Sequence, residues 1–363
     1  MPSKSPVVIL IGALVAAVLA LTLLRRTTEE PPRSAGVPLE NTPGTVAGPR
    51  DPSKRETLTV GFLPVTCHLT CPVTDFASKT SPSTQFLSQR FTDFPTVVET
   101  LKAGRIDATF MIVPLAMKLR EQGVPVRICY LGHRDGSTIM VRKDSTAKTI
   151  RDLRGKRVAI PSKYSNQNLV LRKLLKDEGV RPEELEFVEL PPPDMPGALA
   201  VKAIDAYFVG EPHAARAELD GTGRVLYLIK DIWPRFISCC LVVHERLINS
   251  RPNVVKDLVR GIAESGEWAE THRLDAAKVA APYFIQDEKL LKYVLTRPPD
   301  RVSYRMLTPT DDEMTRIRDM AVEAGLLDSP FSIKDLIDRR FIPSEIHEAS
   351  IDTIGLDAAA PRK

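Results

Sequence analysis

From residue 57 onward, short apolar runs alternate along the chain with stretches that have helical periodicity. Residues 58–63 and 106–112 are predicted strands, because both are short, mostly apolar runs with turn residues near their ends. Residues 94–103 have the spacing of an amphipathic helix, which Gly104 ends. This order of strand, helix and strand predicts βαβ units and a largely parallel sheet.

A second series with the same alternation follows residue 142. Its predicted strands are 157–160, 185–190, 204–209 and 225–229, and its predicted helices are 166–178, 195–202 and 212–219. The segment Gly-Arg-Ile-Asp-Ala-Thr-Phe at 104–110 is echoed by Lys-Ala-Ile-Asp-Ala-Tyr-Phe at 202–208. From residue 237 the chain returns through an apolar run and becomes almost wholly helical up to about residue 340.

Two such series, with a crossing near residue 142 and a return near 237, predict an α/β fold with two lobes joined by two hinge strands. We assign the chain to lobe 1 at 56–142, lobe 2 at 143–236, a mostly helical second part of lobe 1 at 237–345, and a flexible tail at 346–363. Ligands of open α/β sheets bind beyond the carboxyl ends of the strands. Two such edges that face each other predict a ligand cleft between the lobes.

The N-terminal residues have the composition of a membrane-inserting segment. An uncharged apolar run covers residues 7–24 and is followed by two arginines. Its length approaches the roughly 20 residues that span a bilayer as a helix. We therefore expect an uncleaved membrane anchor at 1–26, with a cleaved signal peptide as the alternative. Residues 27–55 are rich in Pro, Gly, Thr and Glu without apolar periodicity, which predicts an extended linker.

Composition and motif content narrow the function. The 50 basic and 46 acidic side chains give a formal charge of +4, and there is no basic stripe with interleaved aromatics, so no nucleic-acid partner is expected. The sequence has no Gly-x-Ser-x-Gly elbow, no phosphate-cradling glycine loop and no His-Glu-x-x-His pair. We therefore expect neither an enzyme nor a cofactor. Asp107 and Asp205 occupy matching places in the repeat, where turn or capping roles explain them.

Six short motifs occur in order across residues 57–340. They are Val-Gly-Phe-Leu-Pro-Val-Thr at 60–66, Leu-Lys-Ala-Gly-Arg-Ile-Asp-Ala at 101–108, Asp-Leu-Arg-Gly-Lys-Arg-Val-Ala-Ile-Pro at 152–161, Pro-Pro-Pro-Asp-Met at 191–195, Ile-Asp-Ala-Tyr-Phe-Val-Gly-Glu-Pro at 204–212 and Asp-Ile-Trp-Pro at 231–234. With these motifs the chain resembles the nitrate/sulfonate/taurine-type (thiamine-precursor-like) solute-binding proteins of ABC transporters. It is most similar to their nitrate- and bicarbonate-binding branch.

The resemblance implies a periplasmic-binding-protein type II fold that closes on a small ligand. It further implies a monomer at the extracytoplasmic face of the inner membrane that delivers its ligand to a permease. Several loops and the returning hinge strand are expected to face the ligand. The ligand-binding residues expected on them are Thr66, Cys67, His68, Phe94, Ser137, Ser165, Asn166, Gln167, Glu211, His213, Ser238 and Cys239.

Two features leave the ligand's chemistry open. The predicted helix start at 165–168 offers free N–H groups and amide donors to an anion or a polar oxygen, although Ser165 alone is also an ordinary helix cap. Where the nitrate-like branch has a lysine, this chain has Ser238 or Cys239, so the obvious counter-charge for a small anion is missing. The expected ligand is a nitrate-, sulfonate- or bicarbonate-like anion, or a small organic nitrogen or sulfur compound.

All five cysteines fall in the part of the chain expected to be exported, where disulfides are allowed; they are Cys67, Cys71, Cys129, Cys239 and Cys240. Cys67 and Cys71 both lie in the loop expected to face the ligand. A disulfide from Cys67 to Cys71 or to Cys239 is the favoured interpretation. Ordinary packing is one alternative. The other is a metal site for Zn or Cu, formed by Cys67, His68, Cys71 and Cys239.

Two further classes of function compete with a transport receptor. Relatives of this fold make a thiamine pyrimidine with a Cys-rich iron site, but the full Cys-rich run is missing here. The other class is a tethered sensor or metal-binding receptor that works without a permease.

Overall fold

The computed structural model of the chain describes residues 55–79, 83–328 and 331–351. The predicted anchor at 1–26 lies outside these residues, as does almost all of the predicted linker, so both remain predictions. Within the described ranges, no helix is long and apolar enough to cross a membrane.

The first of two five-stranded sheets combines strands from both ends of the described chain. Its strands are β1 (Glu56–Phe62), β2 (Thr84–Arg90), β3 (Ala108–Ile112), β4 (Val126–Leu131) and β11 (Cys239–His244). Their order in the sheet is β2-β1-β3-β11-β4. β1 runs parallel to β2 and β3, whereas β11 runs antiparallel between β3 and β4. The returning segment predicted near residue 237 therefore completes the first sheet.

The second sheet is built from the middle of the chain. Its strands are β6 (Ser137–Arg142), β7 (Arg157–Ile160), β8 (Glu186–Glu189), β9 (Ala206–Gly210) and β10 (Gly223–Leu228). Their order is β10-β6-β9-β7-β8, with β7 parallel to β8 and β9 and with β6 antiparallel to β9 and β10. The two-residue strands β5 (Arg134–Asp135) and β12 (Val302–Ser303) form a separate ribbon.

Helices follow most strands of both sheets. They are α1 (Thr70–Ser78), α2 (Phe94–Lys102), α3 (Val113–Glu121), α4 (Asn166–Asp177), α5 (Met195–Ala200), α6 (His213–Leu219), α7 (Ile229–Ile232), α8 (Glu245–Ser250), α9 (Pro252–Thr271), α10 (Arg273–Phe284), α11 (Glu288–Thr296) and α12 (Asp311–Glu323). The part of the chain after β11 is mostly helical, as the sequence predicts. β3 is buried along its whole length, which is typical of a strand covered on both faces.

The chain crosses between the two sheets twice, before β6 and before β11. The predicted lobe 1 reaches residue 142, but β6 (Ser137–Arg142) pairs with β9 and β10 in the second sheet. The first crossing therefore lies at residues 132–136 and not near 142. The two crossings contact each other, because Asp135 N–H donates to Phe236 O at 2.8 Å and Gly132 N–H donates to Cys239 O at 2.9 Å. The lobe boundaries otherwise remain a prediction.

Two elements next to the first strand are absent from the sequence prediction. Helix α1 begins at Thr70, inside the segment that was expected to be a loop, and β2 follows it at the edge of the first sheet. Thr74 of α1 is within hydrogen-bonding distance of Ser265 of α9, with 2.9 Å between the hydroxyl oxygens. Packing of this kind stabilises a helix whose own sequence contains Pro72 and several β-branched residues.

Candidate functional site

Five segments bring polar side chains to the place where the two sheets meet. The 3₁₀ turn Thr66–His68 follows β1, and the others are the first residues of β6, α4, α6 and β11. All twelve predicted ligand-binding residues are buried. Phe94 lies in the apolar core at the start of α2. We call the central group the junction cluster; its members are Cys67, His68, Ser137, Asn166, Gln167, Ser238 and Cys239.

Gln167 joins the two sheets through hydroxyl groups. Its Nε2 donates to Ser137 Oγ, at the start of β6, and to Ser238 Oγ, just before β11, at 3.2 Å each. Gln167 Oε1 is buried and has no hydrogen-bond partner in the structure. The side chain therefore links both crossings. Because hydroxyls donate as well as accept, turning the amide over would keep both hydrogen bonds, so one polar atom of the Gln167 amide stays unpaired in either orientation.

Asn166 is oriented by the second crossing. Its Nδ2 donates to the backbone oxygen of Ile237. Rotating the amide by half a turn would place Oδ1 against that oxygen, so the hydrogen bond fixes which atom is the acceptor. Asn166 Oδ1 is buried without a partner. Neighbouring Ser165 accepts a hydrogen bond from Asn168 N–H at 3.1 Å, which shows that it does cap α4.

Cys67 and Cys239 place their sulfur atoms in contact. The Cys67 thiol donates to Cys239 Sγ at 2.7 Å, and both side chains are buried. Burial, the hydrogen bond to Cys239 and the charge on Cys239 raise the pKa of Cys67 well above its usual value. Burial also raises the pKa of Cys239, but the hydrogen bond from Cys67 and the neighbouring His68 outweigh it and lower that pKa to about 5. Of the two thiols, Cys239 is therefore the one that ionises more readily.

The tautomer of His68 follows from its backbone neighbour. Leu63 N–H donates to His68 Nδ1 at 2.8 Å, so this nitrogen is an acceptor and the ring proton lies on Nε2. The ligand atoms of His68, Cys67 and Cys239 lie within 4.8 Å of one another. Nε2–H is therefore a donor beside the sulfur pair, and it has no hydrogen-bond partner in the structure.

The same tautomer argues against a metal centre. A histidine that binds a metal usually donates its other ring N–H to an acceptor, whereas the other nitrogen of His68 accepts an N–H. Cys71, the fourth ligand predicted for a metal, lies in α1, where its Sγ is 3.4 Å from Ser88 Oγ. The remaining ligands are the two sulfur atoms of Cys67 and Cys239, whereas a structural zinc site has four ligands.

All five cysteines are free thiols in the structure. The predicted pairing of Cys67 with Cys71 therefore finds no support, because Cys71 contacts Ser88 and the backbone oxygen of Val60 instead. The alternative pairing of Cys67 with Cys239 is the one for which the sulfur atoms are in contact. Sequence reasoning missed this distinction because it treated 66–71 as one loop, whereas Cys71 belongs to a helix.

Glu211 is a structural link in this arrangement. Its carboxylate accepts from Thr138 Oγ1 at 2.8 Å, from Arg301 Nε at 2.7 Å and from Ala215 N–H at 2.9 Å. The side chain of Arg301 also contacts Glu218 at 3.1 Å. These contacts join the end of β9 to the segment before β12 and leave the carboxylate well paired. Nothing in the sequence around residue 301 indicated this partner.

Two other histidines are buried in a neutral form. His213 Nε2 lies 3.0 Å from the backbone oxygen of Pro64, and burial lowers the pKa of His213 to about 4. His133 Nε2 lies 2.9 Å from Thr66 Oγ1, and burial lowers the pKa of His133 to about 3. Both contacts join segments on either side of the crossings, which explains why neutral rings are tolerated inside the protein.

A cavity of about 200 Å³ opens beside the junction cluster. It is bounded by the start of α4, the second crossing and α12; its lining residues include Asn166, Trp233, Phe236, Glu313 and Arg316. The Arg316 guanidinium stacks on the Trp233 ring at 3.9 Å from its centroid. Sequence reasoning did not connect α12 with the site, because the contact is long-range and α12 has no motif of its own.

The chain forms two sheets with helices between their strands, passes from one sheet to the other twice, and brings buried polar groups together where the sheets meet. This is a periplasmic-binding-protein type II fold, as predicted. A model of the NMT1-like family matches residues 51–284, and the chain belongs to this family. The resemblance inferred from the sequence motifs is thereby confirmed.

Two relatives illustrate the range of matches. The chain is 28% identical over 195 residues to the nitrate import ATP-binding protein NrtC of Synechocystis, a match that covers 49% of this chain and 29% of the relative. It is 24% identical over 254 residues to a protein of Brucella abortus that is named as a binding protein. This match covers 68% of this chain and 78% of the relative. The chain thus spans less than a third of NrtC.

Solved structures share the fold. The zinc-bound ligand-binding component of an ABC-type import system from Staphylococcus aureus has a TM-score of 0.73 and 24% identity, over 82% of this chain and all of that one. The periplasmic nitrate-binding protein NrtA from Synechocystis has a TM-score of 0.72 and 15% identity, over 84% and 97%. The desulfurization enzyme DSZB is also similar, with a TM-score of 0.56 and 17% identity over 79% and 97%.

Proposed function

We propose that the chain is the extracytoplasmic solute-binding component of an ABC importer and that it holds a small ligand at the junction cluster. The observation that carries this proposal is a group of buried polar atoms without a partner, namely His68 Nε2, His133 Nδ1, Asn166 Oδ1 and Gln167 Oε1. Buried polar groups are nearly always paired, and each unpaired one costs about 1–3 kcal/mol. A bound molecule that pairs with these atoms would stabilise the contact between the sheets.

The family and the crossings support a receptor that opens and closes. Within the described residues the chain passes between the two sheets twice, and side-chain contacts at the site include those of Gln167 with Ser238 and of His213 with Pro64. Hinge closure around a ligand uses a few residues between rigid parts. Import systems are named for several relatives, and we extend that role to this chain.

Location follows from the same proposal. We infer that the folded part works outside the cytoplasm and is tethered by residues 1–26, since the apolar run there has nearly the length of a membrane span. Fractionation of native cells tests this. The chain should stay with the membrane after high salt and be accessible to protease added to the periplasm; a chain found wholly in the cytoplasmic fraction would contradict the proposal.

The metal-receptor alternative is weaker because His68 Nδ1 accepts the Leu63 N–H, which leaves the ring proton on the nitrogen that would have to bind the metal. A thiolate also suits an enzyme nucleophile, but a binding role accounts for the unpaired amide oxygens of Asn166 and Gln167, which a nucleophile would not require.

The test is release of a small molecule from the full-length chain purified from its native membrane. Denaturation followed by mass spectrometry should find one compound at close to one per chain. The combined Asn166→Ala and Gln167→Ala variant should lose it. A matched control with Asn253→Ala and Gln122→Ala, two exposed amides, should keep it.

Two results would count against the proposal. No compound enriched above a mock purification, or equal amounts in the variant and the wild type, would remove the junction cluster as a ligand site. Metal analysis of the same samples separates the alternative, since one Zn or Cu per chain without an organic compound would make this a metal receptor.

A further inference from the structure

Two atoms of the junction cluster that lack partners have opposite hydrogen-bonding character. Asn166 Oδ1 is an acceptor, because Nδ2 is committed to the backbone oxygen of Ile237. His68 Nε2–H is a donor, because Nδ1 accepts the Leu63 N–H. A carboxylate can only accept and an ammonium can only donate, whereas a hydroxyl does both. The part of a solute that meets this cluster is therefore matched by a neutral hydroxyl rather than by an ion.

The cavity beside the cluster offers an apolar space to the rest of the solute. Asn166 is the member of the junction cluster that also lines this cavity. The inner wall is formed by buried apolar side chains, which are Leu169, Val170, Phe236 and Ile237. The cavity volume is about 200 Å³, and an apolar cavity of about 150 Å³ is large enough for benzene. The space therefore fits one six-membered ring with small substituents, whereas its apolar walls offer an inorganic anion no hydrogen bonds.

The mouth of the cavity carries a guanidinium that is held in place but not neutralised. The exposed Arg316 lies on the Trp233 ring at 3.9 Å from its centroid, and among the described residues it has no carboxylate partner. Stacking covers one face of a guanidinium and leaves its in-plane N–H donors free to bind a planar carboxylate. Glu313, the acidic residue in the lining, is already paired with Arg134 at 2.6 Å and with Thr310 at 2.8 Å. The mouth therefore favours an acidic group at the outer end of the solute.

We propose that the solute is a small cyclic hydroxy acid whose hydroxyl pairs with Asn166, whose ring lies in the cavity and whose carboxylate meets Arg316. This inference rests on the proposed function and names the solute class for it. It sets the chain apart from relatives named for nitrate, because an inorganic anion at Arg316 would leave the cavity empty and the Asn166 acceptor unpaired.

The probe is 4-hydroxybenzoate, which carries a hydroxyl, a ring and a carboxylate in one small molecule. Benzoate lacks the hydroxyl, 4-hydroxybenzamide lacks the charge, and nitrate and methanesulfonate lack the ring. Binding to the full-length chain, dialysed exhaustively to remove bound small molecules, is followed by calorimetry at constant ionic strength. We expect one 4-hydroxybenzoate per chain. Benzoate should bind about 2- to 10-fold more weakly because one hydrogen bond is lost, and the two anions without a ring should bind weaker by about tenfold or more.

Three variants test the two ends of the probe and its ring. Asn166→Ala should bring the affinity for 4-hydroxybenzoate close to that for benzoate, because the hydroxyl loses its acceptor. Arg316→Gln should weaken 4-hydroxybenzoate about two- to fivefold, as expected for an exposed charge pair, and leave 4-hydroxybenzamide unchanged. Arg105→Gln makes the same change at an exposed arginine outside the cavity and should have no effect. Ile317→Phe adds volume to the lining and should weaken every probe that has a ring.

Melting curves show which unliganded variants fold, and the comparison of probes on the wild type decides the matter if one does not. Equal affinities for 4-hydroxybenzoate, benzoate and 4-hydroxybenzamide, or tighter binding of nitrate or methanesulfonate, would overturn this inference. Equal weakening of the acid and the amide by Arg316→Gln would overturn the carboxylate contact.

Failure of 4-hydroxybenzoate to bind at millimolar concentration would also overturn the inference. The receptor role would then stand on the compound released from the native protein. Absence of any released compound would instead remove the proposed function itself, so the two failures are distinguishable.

Discussion

Removing the Glu211 carboxylate should destabilise the protein strongly without emptying the ligand site. Glu211 is fully buried and the Arg301 side chain is 3% exposed, so their pair is shielded from water. Glu211→Ala would leave the buried Arg301 guanidinium with one acidic partner, Glu218, which lies 3.1 Å away and whose side chain is 29% exposed. Breaking a buried pair from one side costs about 3–5 kcal/mol. We expect Glu211→Ala to lower the free energy of unfolding by about 3 kcal/mol, because Glu218 still neutralises part of the charge on Arg301.

The assay is thermal unfolding of Glu211→Ala, Arg301→Met and the double variant, followed by circular dichroism. At about 2–4 °C per kcal/mol for a domain of a few hundred residues, Glu211→Ala should lower Tm by roughly 6–12 °C. The double variant should lose less than the sum of the two single losses, since neither charge is left alone. Glu218→Ala, whose carboxylate is partly exposed, should cost clearly less. Additive losses, or a Glu211→Ala variant within about 1 kcal/mol of wild type, would refute the pairing.

Four further predictions concern the crossings and the sulfur pair. A Cβ at Gly132 would overlap the backbone oxygen of Cys67, so Gly132→Ala should lower the unfolding free energy by about 1–3 kcal/mol in denaturant titrations and reduce ligand content. Thiolate absorbance near 240 nm should rise with a midpoint at pH about 5 and vanish in Cys239→Ser; no step below pH 7 would contradict this. Mild oxidation with diamide should link Cys67 to Cys239 in peptide maps, and a link to Cys71 would show the geometry to be wrong. The folded His213 has a pKa of about 4 against 6.5 unfolded, so only the unfolded chain takes up this proton between those values. This group alone should lower stability by about 3 kcal/mol from pH 7 to 4, in addition to the fall due to His133, whose pKa burial also lowers, and His213→Gln should flatten the slope.

The parts of the fold that sequence reasoning found are those with a local pattern. The apolar run of β3, the repeat at 104–110 and 202–208, and the helix that begins after Ser165 each carry their signal within a few residues. Helix α1 and strand β2 do not. β2 (Thr-Gln-Phe-Leu-Ser-Gln-Arg) is a partly exposed edge strand, so its apolar content is low, and α1 depends on packing against α9.

The sequence names the residues of the candidate site but not the contacts between them. The residues flanking the crossings follow from the family resemblance. The contacts that define their chemistry join distant positions, as in Asn166 with Ile237, Cys67 with Cys239, and Leu63 N–H with the ring of His68. A backbone N–H that sets a tautomer leaves no trace in the sequence. The assignment of Cys71 to the ligand loop was wrong for a similar reason, because a helix turns its side chain towards Ser88.

Hydrogen exchange of the full-length chain tests most directly whether a small ligand holds the two sheets together at the junction cluster. The protein is compared as purified, after exhaustive dialysis to remove bound small molecules, and after its own released extract is added back. We predict that amides at 166–168 and 238–239 exchange faster after dialysis and slow again with the extract, while β3 and β9 stay unchanged. Identical exchange at these positions in all three samples would contradict the account.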